Sequence, residues 1–189
     1  MKKLLSKLAP ITVALAVALL SGSFLAAQSK DSGRINDLLQ QAKSRAVQAN
    51  HDADLINSFT RSRTSWRSHA IQLRSMTEHV NAMGKMLAEM DSAKEEGSPW
   101  QREAIEDIEP LLRSMADHMN GMINHLNDNQ EKVHMPAYVD YTKANLELSD
   151  KLLAMIEDYV GYAEAKATAD TLEQKLALPT DAASEPGAQ

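Results

Sequence analysis

Apolar residues recur every three or four positions in four segments of the chain, at residues 34–57, 62–94, 99–128 and 136–176. This spacing places them on one face of an α-helix, because a helix has 3.6 residues per turn. The second segment has the clearest series, formed by Trp66, His69, Leu73, Met76, Val80, Met83, Leu87 and Met90. The pattern therefore predicts four amphipathic helices.

The connections between the predicted helices are short, at residues 58–61, 95–98 and 129–135. Short connections make successive helices antiparallel neighbours, and sustained heptad spacing is typical of helices that pack at shallow angles. We therefore expect an all-α fold over residues 34–178, an up-down-up-down antiparallel four-helix bundle with a long fourth helix. Residues 166–178 extend past the ends of the other predicted helices, so we expect them to fold over the end of the bundle, to pair with another subunit or to fray.

Two local signals concern the third helix. Ser98, Pro99 and Gln101 supply an N-cap, a proline at the first helical position and a capping-box glutamine. Pro110 lies inside the same helix, where it removes one backbone hydrogen bond. Because the apolar spacing continues unbroken past Pro110, which falls on the opposite face, we expect a kinked but continuous helix with Pro110 turned outward.

The N-terminus has the order of charge and hydropathy that is typical of a secretory signal peptide. Three lysines among the first seven residues precede an apolar run at residues 11–20, and small residues follow as far as Ala27. We predict cleavage after Ala27, which makes residues 1–27 the signal peptide, and export to the bacterial periplasm or the cell exterior. An uncleaved anchor is the alternative, but the polar Ser-Gly-Ser interruption at residues 21–23 favours cleavage.

The predicted mature chain begins and ends with polar segments. Residues 28–33 and 179–189 have too few large apolar side chains to offset the entropy of ordering them. We therefore expect a flexible N-terminal segment and a disordered C-terminal tail on either side of the bundle.

Composition and charge exclude several classes of function. The chain has no Cys, which excludes disulfides, thiolate metal sites and cysteine nucleophiles. The net charge is −6, and removal of the signal peptide takes away three lysines and no acidic residue, so the mature charge becomes −9. An acidic chain without a basic run does not suit nucleic acid, and we expect no stable membrane insertion after signal cleavage. Ten Met against two Phe indicate an aromatic-poor core.

Histidines concentrate in one half of the predicted bundle. When the antiparallel helices are aligned from their connections, five of the six histidines fall in that half, and His79 is the exception. The side chains in this half that are expected to face inward, or to lie beside the inward face, are His69, His118, Met122, His125, Tyr141 and Asn145.

This cluster has two interpretations. In the first, a set of buried polar residues fixes the register of the helices, with hydrogen bonds between His69 and Asn145 or from either to a tyrosine hydroxyl; the set is His69, Tyr141 and Asn145. In the second, imidazole and thioether groups bind Cu(I) or a noncovalent haem, and the ligands are His69, His118, Met122 and His125. A methionine stripe at helical spacing is usually core, so we favour the first interpretation and expect no cofactor.

The sequence contains no catalytic motif of a familiar type. It has no glycine-rich phosphate loop and no Gly-x-Ser-x-Gly turn, and the Glu131-x-x-His134 spacing occurs once, beside a loop. We therefore expect no enzyme but an exported helical bundle with a non-catalytic binding or structural role, acting through an unidentified protein partner or self-association. The alternatives are a copper or haem carrier, and a protein that responds to pH because its histidines titrate near neutrality.

Overall fold

The computed structural model describes residues 31–62 and 64–176, and it is a four-helix bundle. The helices are α1 (Gly33–Ser62), α2 (Trp66–Ser92), α3 (Pro99–Asp128) and α4 (Pro136–Leu176). Single 3₁₀ turns at Lys94–Glu96 and Gln130–Lys132 complete the connections after α2 and α3. The predicted all-α bundle is confirmed. The predicted signal peptide and C-terminal tail lie outside the described residues.

The predicted connection at residues 58–61 is wrong, because α1 continues through it to Ser62. Hydroxyl groups in this stretch bond back to carbonyls of the preceding turn: Ser58 Oγ donates to the Leu55 carbonyl and Thr60 Oγ1 donates to the Asn57 carbonyl, both at 2.7 Å. The serines and threonines thus remain within the helix instead of ending it.

The core lies between the four inward faces and differs in character from helix to helix. α1 contributes small residues, with Ala42, Ala46, Ala49 and Ala53 all buried, so its neighbours α2 and α4 approach it closely. α2 and α3 contribute flexible thioethers that fill the remaining space, at Met76, Met83, Met90, Met115, Met119 and Met122. Most of the methionines are therefore packing residues.

α3 is continuous through Pro110, which lies on its exposed side as predicted. The N-terminus of α3 is fastened by the predicted capping residue, because the Ser98 backbone N–H donates to Gln101 Oε1 at 3.0 Å.

α4 extends past the other helices at the end of the bundle where α1 and α3 begin. Asp31, just before α1, pairs with Lys166, and Tyr159 donates to Asp107 in the third turn of α3. Residues 168–176 therefore project about 13 Å beyond that level, at 1.5 Å per residue. Across the described parts of the chain, none of the helices is both long and apolar enough to cross a membrane.

Candidate functional site

A buried histidine–tyrosine pair lies at the centre of the histidine-rich half. His69 of α2 and Tyr138 of α4 have no solvent exposure, and His69 Nδ1 lies 3.1 Å from the Tyr138 hydroxyl in a hydrogen bond. Their rings meet edge to face, and Phe59 of α1 covers His69 from another side. Three helices thus enclose one imidazole ring.

The second ring nitrogen of His69 is buried and has no hydrogen-bond partner in the structure. Burial lowers the pKa of His69 from 6.5 to about 4, because the apolar surroundings disfavour the charged imidazolium. Burial also raises the pKa of Tyr138. Both groups are therefore neutral near pH 7, and Nε2 of His69 is left with an unused hydrogen-bonding capacity that is costly inside a core.

The two histidines of α3 each contact a tyrosine of α4, and the two tyrosines are about one helical turn apart. His125 lies 5.2 Å from the Tyr138 ring, centre to centre, and its Nε2–H donates to the Lys132 carbonyl at 3.0 Å. His118 lies 6.1 Å from the Tyr141 ring, and its Nδ1–H donates to the Ser114 carbonyl at 2.8 Å. Each of these imidazoles is thereby oriented by a backbone carbonyl, which accepts only from a protonated nitrogen.

The predicted metal ligands are distributed over two histidine–tyrosine contacts. His69 and His125 both adjoin Tyr138, whereas His118 adjoins Tyr141. Met122 is fully buried between these levels of α3. Within residues 31–62 and 64–176, no three or more His, Asp or Glu side chains are grouped to hold a metal ion, so the three histidines do not converge. Among the four predicted ligands, His69 has a ring nitrogen, Nε2, that is buried without a hydrogen-bond partner.

The predicted register residues occupy different environments. Asn145 is 1% exposed, and with its amide nitrogen facing the Met115 carbonyl it donates at 3.1 Å and accepts from the Met119 N–H at 3.2 Å. Asn145 therefore holds α4 against one turn of the α3 backbone instead of bonding to His69. The prediction that Tyr141 is buried is wrong: it is 37% exposed, and its ring lies flat over the position of Gly121.

A second polar network, between α1 and α2, was not predicted. Asp52 is 5% exposed, and its Oδ1 accepts a hydrogen bond from Gln72. Its Oδ2 lies 3.6 Å from His79 Nε2, and the other nitrogen of His79 faces the Arg45 guanidinium at 3.5 Å. The signal in the sequence is the position of Asp52, three residues after Ala49 and four before Ile56, which places it on the edge of the apolar face of α1.

The start of α1 is fastened by contacts that the sequence did not reveal. Asp31 accepts from Trp100 Nε1 at 2.9 Å and from Lys166 Nζ at 2.8 Å. Burial raises the pKa of the Asp31 carboxyl, but hydrogen bonds from its neighbours, Lys166 foremost, outweigh this and lower it. Gln101, which is fully buried, exchanges hydrogen bonds with both the N–H and the carbonyl of Ser32. The described part of the predicted flexible segment, residues 31–33, is thus tied to α3 and α4.

A cleft of about 720 Å³ opens at the histidine-rich end, between the α1–α2 and α3–α4 connections. Arg61, Arg67 and His134 line it together with Glu131, and Phe59 separates it from His69. The cleft gives this end a mixed polar surface, and it brings together both residues of the single Glu131-x-x-His134 spacing.

No known protein family, no curated protein and no solved structure matches this chain.

Proposed function

We propose that this protein is an exported, non-catalytic helical bundle that acts by protein–protein association through the end of α4. The observation that carries the proposal is an exposed apolar strip, formed by Ala165, Ala169, Leu172 and Leu176, where α4 leaves the bundle. Leu172 is 52% exposed and Leu176 is 84% exposed.

The strip lies on the side of α4 that faces away from the bundle. Steps of three and four residues from Leu176 toward the start of α4 define one helix face, and this face is opposite to buried Ile156 and Val160. Along the bundle the same face carries Glu147, Lys151 and Asp158. Ala154 lies among these charged residues and Gly161 follows them, and leucines occupy this face only at the projecting end, as expected for a contact surface rather than for a solvated one.

The projecting end also lacks the tertiary support that the other helices have. A helical segment of about ten residues is marginally stable in water unless an apolar face is covered. A partner on the strip would supply that cover. Export is supported by the N-terminal sequence pattern alone, and N-terminal sequencing of the secreted protein is expected to begin at Gln28.

Sedimentation analysis of the protein purified from its producing cell tests this function. We expect a mass above one chain, or a companion bound in constant ratio, and we expect either to be lost in the double variant Leu172→Asp, Leu176→Asp. Lys151→Asp is the matched control, because it alters the same exposed face of α4 where that helix runs along the bundle. It is expected to change neither the mass nor the bound companion. A monomer without a companion contradicts the proposal.

Soft-metal or haem binding is the second candidate function, and one observation favours it: the free, buried Nε2 of His69. A neutral imidazole in a methionine-rich core suits Cu(I). Competition titration with Cu(I), metal analysis and an absorption spectrum test it. Binding tighter than micromolar that is lost in His69→Gln and kept in His51→Gln supports a carrier; weaker binding together with no Soret band rules it out.

A further inference from the structure

We propose that the partner of the apolar strip is the same strip of a second copy of this chain, paired antiparallel about a two-fold axis. The inference rests on the proposed function and names its partner. In this pairing Ala165 packs against Leu176 of the second copy, and Ala169 packs against Leu172 of the second copy. The strip is self-complementary because each small residue meets a large one.

The geometry of the bundle permits this arrangement. Ala165, Ala169, Leu172 and Leu176 follow one another in steps of four, three and four, which is the seam of a coiled coil. The seam faces away from the packed side of α4 and is exposed along its whole length. A second helix can therefore reach Ala165 without displacing α1 or α3.

The charges beside the seam match in the same register. Lys166 and Glu173 follow Ala165 and Leu172, respectively, so both occupy the flanking position that meets its own equivalent in an antiparallel pair. Lys166 then faces Glu173 of the second copy, and the two-fold axis repeats the contact. Lys166 already binds Asp31 at 2.8 Å, and its ammonium group has further donors for a second carboxylate.

The same charges disfavour the neighbouring registers. A slip of one heptad in one direction places Lys166 against Lys166, and a slip in the other direction places Glu173 against Glu173. A parallel pair would bring neither residue to an opposite charge within the segment. The paired area is small, with two leucines and two alanines from each copy, so we expect a dimer that dissociates in the micromolar range or above.

Sedimentation equilibrium of the full chain over about a hundredfold range of concentration tests the pairing. Glu173→Lys and Lys166→Glu each replace two opposite-charge contacts with like-charge contacts, and each is expected to weaken the dimer at least about tenfold. An equimolar mixture of the two variants is expected to restore it, because the mixed pair again has two opposite-charge contacts. Glu147→Lys is the control and is expected to leave the dimer unchanged.

Cysteine cross-linking gives a second measurement that does not require Lys166→Glu to fold well. The chain has no cysteine, so Ala169→Cys and Leu172→Cys each introduce a single thiol. In the proposed register, the mixture of these two variants is expected to form the mixed disulfide between positions 169 and 172 faster than either variant forms its own dimer. Equal rates, or no restoration by the mixed charge variants, overturn the pairing.

The results also separate this inference from the proposed function. A chain that stays monomeric but holds a companion in constant ratio, lost on substitution of Leu172 and Leu176, overturns self-pairing and leaves the proposed function standing. A chain that neither dimerises nor holds a companion overturns both.

Discussion

At the scale of single residues, two polar side chains inside the bundle, His69 and Asn145, are held by partners on other helices. His69 depends on Tyr138, and Asn145 depends on the backbone of α3 at Met115 and Met119. Each lies among apolar side chains, so the cost of losing its partner is the full desolvation of the group. These residues therefore make the packing specific even where they add little net stability.

The buried imidazole makes stability depend on pH. In the unfolded chain His69 titrates near its ordinary value of 6.5, whereas in the folded chain its pKa is about 4. Between these values the unfolded chain binds a proton that the folded chain does not, so stability that is present above pH 6.5 is lost as the pH falls toward 4. The loss from this residue amounts to about 3 kcal/mol.

Urea unfolding at pH 7 and pH 4.5 measures this loss. The free energy of unfolding is expected to differ between pH 7 and pH 4.5, and this difference is expected to be smaller by about 2–3 kcal/mol in His69→Gln than in the unaltered chain. His134→Gln, which alters an exposed histidine in the α3–α4 connection, is expected to keep the full difference. An unchanged difference in His69→Gln would show that another group carries the pH dependence.

Two glycines inside helices are expected to respond in opposite ways to substitution by alanine. At Gly121 a Cβ atom would lie 2.7 Å from Tyr141 Cζ, so the ring would have to move, whereas at Gly84 a Cβ atom meets nothing within 4 Å. Gly84→Ala should stabilise the protein by about 0.5–1 kcal/mol through helix propensity, and Gly121→Ala should destabilise it by about 1 kcal/mol. Urea unfolding distinguishes the two, and equal stabilisation would contradict the close approach.

At the scale of the elements, the helices are joined at their ends as well as along their faces. Gln101, in the first turn of α3, bonds to Ser32 and Asn36 at the start of α1 as well as to its own N-cap. Gln101, which the sequence predicted as a capping residue of α3 alone, therefore fastens the N-termini of both α1 and α3. The reason lies in the antiparallel topology, which brings the N-termini of α1 and α3 to the same end.

Substitution of Gln101 tests this junction. Gln101→Ala removes several buried hydrogen bonds, so we expect a loss of about 2 kcal/mol or more and faster amide exchange in the first turns of both α1 and α3. Gln41→Ala, on the exposed side of α1, is expected to change neither by a comparable amount. Faster exchange in α3 alone would mean that the contact with α1 contributes little.

At the scale of the whole molecule, the bundle is complete without the projecting end of α4. The last buried residue of α4 is Val160, and the ion pair between Lys166 and Asp31 lies just beyond it. Residues 168–176 therefore contribute to association rather than to the core.

Truncation separates these contributions. Removal of the chain after residue 167 is expected to leave the free energy of unfolding within about 1 kcal/mol of the full chain while it abolishes association. Removal after residue 158 also deletes Tyr159, Val160 and Lys166, and it is expected to cost several kcal/mol. A large loss of stability on removal of the chain after residue 167 would show that the projecting end packs on the bundle.

The apolar spacing was sufficient to predict the number of helices, the inward faces of α1, α2 and α3, the methionine core and the outward position of Pro110. It was wrong for part of α4, where Tyr162 was expected on the inward face and is 51% exposed, while Ile156 and Val160 are buried. It was insufficient for the end of α1, because hydroxyl groups at Ser58 and Thr60 satisfy carbonyls inside a helix as readily as they cap one. The positions of the histidines along the bundle axis followed from the antiparallel alignment of the helices. The structure places His118 and His125 beside tyrosines of α4, as that alignment implies. The alignment did not show the rotation of α4 about its axis, which leaves Tyr141 37% exposed.

The sequence by itself determined the all-α architecture, since a periodic apolar face is a local property that any helix must bury. Only the tertiary structure decided which polar groups meet. Asp31 reaches Lys166, Asp52 reaches His79, and His69 pairs with Tyr138 instead of Asn145. These partners are distant in the chain, and the choice among them depends on helix rotation and side-chain rotamers, which the spacing of apolar residues leaves open because several rotations bury nearly the same apolar area.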